Sequence, residues 1–111
     1  MLKKERRIGR ELLKKLVKPT VFANSTLISA RIYSIKGEKS KFSFSVSKKV
    51  EKSAVLRNKM RRAGYEAIRE KLPLIKEGFA FRFTFNKKPQ NNKQDIIEAV
   101  NKIFQQNDLL L

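Results

Sequence analysis

Four phenylalanines within seven residues, Phe79-Ala80-Phe81-Arg82-Phe83-Thr84-Phe85, limit most strongly how this chain can fold. Alternation with period two puts all four rings on one side of a β-strand, since successive side chains point to opposite faces. Burying each ring gains about 1.5–3 kcal/mol, so that face demands a cover. Phe42, Phe44 and Val46 alternate with Ser43, Ser45 and Ser47 in the same way and predict a second strand with one apolar face. Such a sheet calls for helices laid on its ring-bearing side.

The helices are legible too. Ile96, Ile97, Val100, Ile103 and Phe104 form the stripe of a final amphipathic helix. Residues from about 53 to 72 read as a central helix, with Pro73 as its stop. Ile8, Leu12, Leu13, Leu16 and Val17 recur at helical spacing and predict a first helix ended by Pro19. Residues 27–35 read as a strand before a turn at Gly37, and Val21 to Asn24 can add a short strand ahead of it. Residues 87–92 form a polar loop containing Pro89. The order is α-β-β-α-β-α, or α-β-β-β-α-β-α with the short strand. At 111 residues, without linker, repeat or low-complexity block, the expectation is a single domain over residues 1–111.

Composition narrows the function. The chain has neither Cys nor His, which excludes a disulfide framework, thiolate or imidazole metal ligands, a thiol nucleophile and a triad base. Its 27 Lys and Arg against 10 Asp and Glu give a net charge of +17. The excess is uneven: residues 1–71 carry 21 basic and 6 acidic side chains, residues 72–111 only 6 and 4. Self-repulsion of that size destabilises a compact domain and points to a polyanionic partner, nucleic acid before membrane. No stretch approaches the roughly 20 apolar residues of a membrane span. No apolar signal-peptide core follows the basic start Met1-Leu2-Lys3-Lys4-Glu5-Arg6-Arg7, so an intracellular, cytoplasmic protein is expected.

Between residues 48 and 62 there are seven basic side chains and one acidic one. Plotted at 100° per residue, Leu56, Met60, Ala63 and Ala67 share a narrow arc expected to face the core. Arg57, Asn58, Arg61, Arg62, Tyr65 and Arg69 share another. Guanidinium forks match phosphate oxygens, an amide can bond base or sugar edges, and a phenol ring can stack. The plainer alternative is a solvated face held by pairs such as Arg62 with Glu66.

The run Phe44-Ser45-Val46-Ser47-Lys48-Lys49-Val50, followed by Ala54-Val55-Leu56-Arg57-Asn58-Lys59-Met60-Arg61-Arg62, resembles the bacterial ribonuclease P protein subunit. In that family a strand ending V-S-K-K precedes a helix opening A-V-x-R-N-R-x-x-R. The resemblance implies an α+β fold, an α/β sandwich of order α-β-β-β-α-β-α with a left-handed βαβ crossover. It implies a subunit that binds a catalytic RNA and precursor tRNA and assists removal of the 5′ leader. It further implies a monomer in a 1:1 complex with that RNA. Cleavage would belong to the RNA, with Mg2+ required by the holoenzyme and no cofactor, metal or catalytic residue on the protein.

Carried over by position, the RNA-binding residues are Lys48, Lys49, Arg57, Asn58, Lys59, Arg61 and Arg62, with Tyr65 and Arg69 on the same arc. Lys59 and Tyr65 stand where the family usually has Arg, and Glu51 stands where it has Gly. For the leader cleft, the matching positions are Leu12 and Leu16, where two Phe are usual, and Ala30 on a strand, with Tyr33 as its substitute if the register slips.

Two rival readings have their own residues. Gly78-Phe79-Ala80-Phe81-Arg82-Phe83 resembles the RNA-recognition motif, in which exposed strand aromatics stack on bases, and a basic ribosomal protein would share the composition. An enzyme acting without RNA could nominally pair Glu66 and Glu70, on adjacent turns of the central helix, though among Arg62, Arg69 and Lys71 solvated ion pairs are the plainer reading.

Overall fold

The computed structural model describes residues 2–110, Asn92 by its backbone alone. A short 3-10 turn at Lys4–Arg6 precedes α1 (Arg10–Lys15), β1 (Val21–Asn24), β2 (Ile28–Ser34) and β3 (Lys41–Ser45). Then come α2 (Ala54–Lys71), a 3-10 turn over Leu72–Leu74, β4 (Phe79–Phe85) and α3 (Asn92–Gln106). The four strands form one mixed sheet in the order β1-β2-β4-β3. β2 is antiparallel to both its neighbours, whereas β3 and β4 are parallel and joined through α2.

The register of β3 on β4 sets the core. Phe42 faces Phe81 and Phe44 faces Phe83, so the rings stack in pairs at 5.2 and 4.6 Å between centroids. Phe104 of α3 closes on Phe81 at 5.2 Å. Ile28, Ala30 and Ile32 of β2, Met60, Ala67 and Ile68 of α2, and Ile96, Val100 and Ile103 of α3 complete the same cluster. Both long helices therefore cover one face of the sheet, and the result is an α+β sandwich.

Two expectations need correcting. The first helix is only six residues long and buries none of them. Leu16 has already left helical geometry, Val17 is 85% exposed, and Ile8 lies before the helix, so the apolar spacing from Ile8 to Val17 has no buried face behind it. A short helix without packing is marginal in water, and α1 ends well before Pro19 for want of a partner. In α2, Leu56 is 46% exposed, and the buried residues are Met60, Gly64, Ala67 and Ile68. The core-facing arc is thus rotated toward Gly64 and Ile68. The α-helix itself ends at Lys71, as the position of Pro73 leads one to expect, and Pro73 sits inside the 3-10 turn that follows.

Edges and ends are tied down by polar groups. Arg6 makes a two-pronged pair with Glu77 at 2.8 and 3.0 Å, and Ile8 donates its N–H to the Phe42 carbonyl at 3.0 Å. The N-terminal segment therefore runs along the outer edge of β3. Fully buried Ser40 donates to the Lys76 carbonyl and accepts from the Phe79 N–H, joining the start of β3 to the turn before β4. No helix is long and apolar enough to cross a membrane among the described residues.

Candidate nucleic-acid interface

The chain enters α2 through a tight turn. Val50 and Glu51 both donate N–H groups to the Ser47 carbonyl at 3.1 Å, which leaves Lys48 and Lys49 on the outside of the bend, exposed. Ser53 caps the helix, its hydroxyl accepting from the Leu56 N–H at 3.2 Å. Glu51 turns inward and is only 8% exposed. One of its oxygens accepts the Ser53 N–H at 3.0 Å and the other pairs with Lys88 at 3.2 Å. The Ser53 N–H first, and then Lys88, hold its carboxyl below the ordinary glutamate range despite desolvation. A glycine at this place could make neither contact, so Glu51 anchors the junction to the loop after β4. The pairing with Lys88 spans two distant parts of the chain and leaves no trace in the local pattern.

The arginines of α2 divide into two kinds. Arg57 is half-buried and points back along the junction, donating from one nitrogen to the carbonyls of Glu51 and Lys52 at 2.9 and 2.8 Å. It holds the bend in shape rather than standing free. The side chains of Asn58, Lys59, Arg61, Arg62 and Arg69 make no hydrogen bond or ion pair within the described chain; the Arg62–Glu66 pair does not form. Asn58, Lys59, Arg61 and Arg62 line, with Ala54 and Val55, an open depression of about 570 Å³. Lys59 also borders a smaller hollow of about 220 Å³ that reaches Glu51 and Lys88. Glu66 and Glu70 are exposed on the same helix.

Tyr65 departs from its expected part. Its ring meets Phe44 edge-on at 5.2 Å, and its hydroxyl accepts the Phe44 N–H at 3.3 Å. β3 is an edge strand, and Tyr65 satisfies a backbone donor that β4 cannot reach, so its ring is engaged with the core and not offered to a base. Ala30 is fully buried in the core cluster beneath the helices and cannot touch a leader strand. Tyr33 lies on the other face of the sheet but is 4% exposed, its hydroxyl accepting from Arg82 at 3.4 Å. Leu12 and Leu16 are half-buried and outside the core cluster. Phe81 is fully buried and Phe79 partly so, which removes the stacking platform an RNA-recognition motif requires.

A family model described as Ribonuclease P matches residues 2–108. The chain belongs to that family. It is a ribonuclease P protein subunit, acting in tRNA maturation as part of a ribonucleoprotein. No curated protein sequence matches the chain. Among solved structures, the Staphylococcus aureus RNase P protein is 18% identical, with 96% of this chain and 98% of that one covered, at a TM-score of 0.74. A mutant of the S. aureus protein, described as defective in mRNA degradation activity, is 19% identical over 96% and 91% of the chains at a TM-score of 0.80. The RNase P protein of Thermotoga maritima is 19% identical over 89% and 96%, also at 0.74. At such low identity these likenesses speak for the fold, the same α+β sandwich. Glu51 and Tyr65 each tie parts of this fold together, Glu51 through Lys88 and the Ser53 N–H and Tyr65 through Phe44.

Proposed function

We propose that the α2 face carrying Asn58, Lys59, Arg61, Arg62 and Arg69, with Lys48 and Lys49 on the turn before it, docks the protein onto ribonuclease P RNA. The complex is 1:1, cytoplasmic, and takes precursor tRNA, with the single-stranded leader crossing the sheet face turned away from α2 and α3. The observation that carries this reading is that these helix side chains have no partner within the described chain. Unpaired donors on a rigid helix are pre-organised for phosphate oxygens. Arg57, Glu51 and Ser53 serve by fixing the bend from which the helix starts.

Catalysis belongs to the RNA. Mg2+ bound by the RNA would supply Lewis-acid activation of phosphate and water. The protein's cations contribute by offsetting repulsion between RNA and precursor, so its effect is greatest where Mg2+ is scarce. Mixing the protein, ribonuclease P RNA and precursor tRNA over a Mg2+ series should show leader release that depends on the RNA and is stimulated most at low Mg2+. Cleavage by the protein without RNA would place the chemistry elsewhere. Equal stimulation at every Mg2+ concentration would remove the electrostatic role.

A further inference from the structure

The helices α2 and α3 cover one face of the sheet, and the side chains of the other face form rows across the strands. Pairing register sets Phe22, Arg31, Arg82 and Ser43 side by side from β1 to β3. The next row holds Asn24, Ser29, Thr84 and Ser45. Neighbours in such rows are one strand apart, about 4.8 Å. Neither row contains a carboxylate. Phe22 is 60% exposed, the only exposed aromatic ring among the described residues, while Val21 and Ala23 supply what β1 gives to the core. Arg31, its direct cross-strand neighbour, is exposed, and its side chain makes no hydrogen bond or ion pair within the described chain. Nothing in the packing of the fold uses this ring.

We propose that Phe22 stacks on a base of single-stranded RNA, with Arg31 taking the adjacent phosphate, so that β1 and β2 form an outer part of the leader-binding surface. This rests on the reading that the leader crosses this face. The chemistry favours RNA over a protein partner. A ring offers a π face to any base, a guanidinium fork fits phosphate, and the amide and hydroxyl row beside them can bond base edges or ribose. Leu12 on α1 and Leu16 just past its end give apolar area without a π face. The aromatic contact is thereby displaced from the first helix to the far edge strand.

The test uses holoenzyme assembled from this protein and ribonuclease P RNA, and compares affinity for precursor tRNA with that for leaderless tRNA. Phe22→Ala should lower the precursor-to-mature ratio by roughly 5- to 150-fold, with mature tRNA affinity and thermal midpoint unchanged. Phe22→Tyr should keep the ratio. A 2-aminopurine placed in the leader should lose its stacking quench in Phe22→Ala and regain it in Phe22→Tyr. Arg31→Ala should flatten the salt dependence of leader binding by about 0.7. If Phe22→Ala does not fold, Phe22→Leu serves, since leucine keeps apolar area but cannot stack.

A wild-type protein that prefers precursor while Phe22→Ala prefers it equally would overturn the proposal and leave the leader reading intact. A wild type without any precursor preference would overturn the leader reading and the proposal with it. Equal loss of affinity for both tRNAs would also overturn the proposal, assigning Phe22 to some other contact.

Discussion

Gly64 of α2 sits directly against the Phe44 ring of β3. A Cβ built there would lie 2.7 Å from two ring carbons of Phe44. That ring is stacked on Phe83 at 4.6 Å and edged by Tyr65 at 5.2 Å, so it has little room to yield. Gly64→Ala gains up to about 1 kcal/mol of helix propensity but overpacks a filled site, which costs about 1–3 kcal/mol. The expected net is a loss near 1 kcal/mol in urea unfolding; a more stable variant would mean that Phe44 shifts freely. The same glycine explains why the helical wheel misplaced Arg57 and Tyr65. Gly64 adds nothing to an apolar pattern, whereas Leu56 adds much although it sits before α2 reaches the core. With the buried arc moved to Gly64 and Ile68, Arg57 falls within it at the start of the helix and bonds the junction, while Tyr65 lies about 60° beyond Ile68 and bonds β3. Arg62 and Arg69 lie further round the helix, and their side chains, like that of Arg61, make no hydrogen bond or ion pair within the described chain.

At the scale of elements, the two Phe strands and α3 are plain from the sequence because burial alone dictates their patterns. Ring alternation gives β3 and β4, and the paired stacks Phe42–Phe81 and Phe44–Phe83 follow once these strands lie in parallel register. The short strand β1 was legible as a possibility and forms over Val21–Asn24. α1 misleads, because its apolar spacing is helical while its packing is slight. Leu12 and Leu16 stand outside the core cluster, so replacing both with Phe should change unfolding free energy by no more than about 0.5 kcal/mol. A loss of 2 kcal/mol or more in denaturant unfolding would put these side chains in a packed interior after all. The junction between β3 and α2 was only half readable. Glu51 is visible as an acid among seven bases, but its buried pairing with Lys88 and the Ser53 N–H depends on tertiary contact.

Over the whole molecule, two carboxylates hold distant segments together in a chain of net charge +17. Glu77, paired first with Arg6 and also accepting the Ser40 N–H, is held below the ordinary glutamate value of 4.5, as is Glu51. The unfolded chain therefore takes up protons at these groups before the folded one does. Their stabilisation is complete above pH about 4.5 and is lost as pH falls through the lower folded values. Thermal midpoints should drop steeply with acid in the wild type and less steeply in a Glu51→Gln, Glu77→Gln variant; parallel curves would deny both groups this role. The side chains of Lys59, Arg61, Arg62 and Arg69 on α2 have no partner within the described chain, and their gathering on one helix is the core of the functional account. The most direct measurement is the salt dependence of binding to ribonuclease P RNA, compared between wild type and an Arg61→Ala, Arg62→Ala variant. Each lost phosphate contact should flatten the log–log slope by about 0.7–0.9, together about 1.4–1.8, while the thermal midpoint stays put because neither side chain has an internal partner. An unchanged slope with folding intact would contradict the assignment of this helix face to RNA.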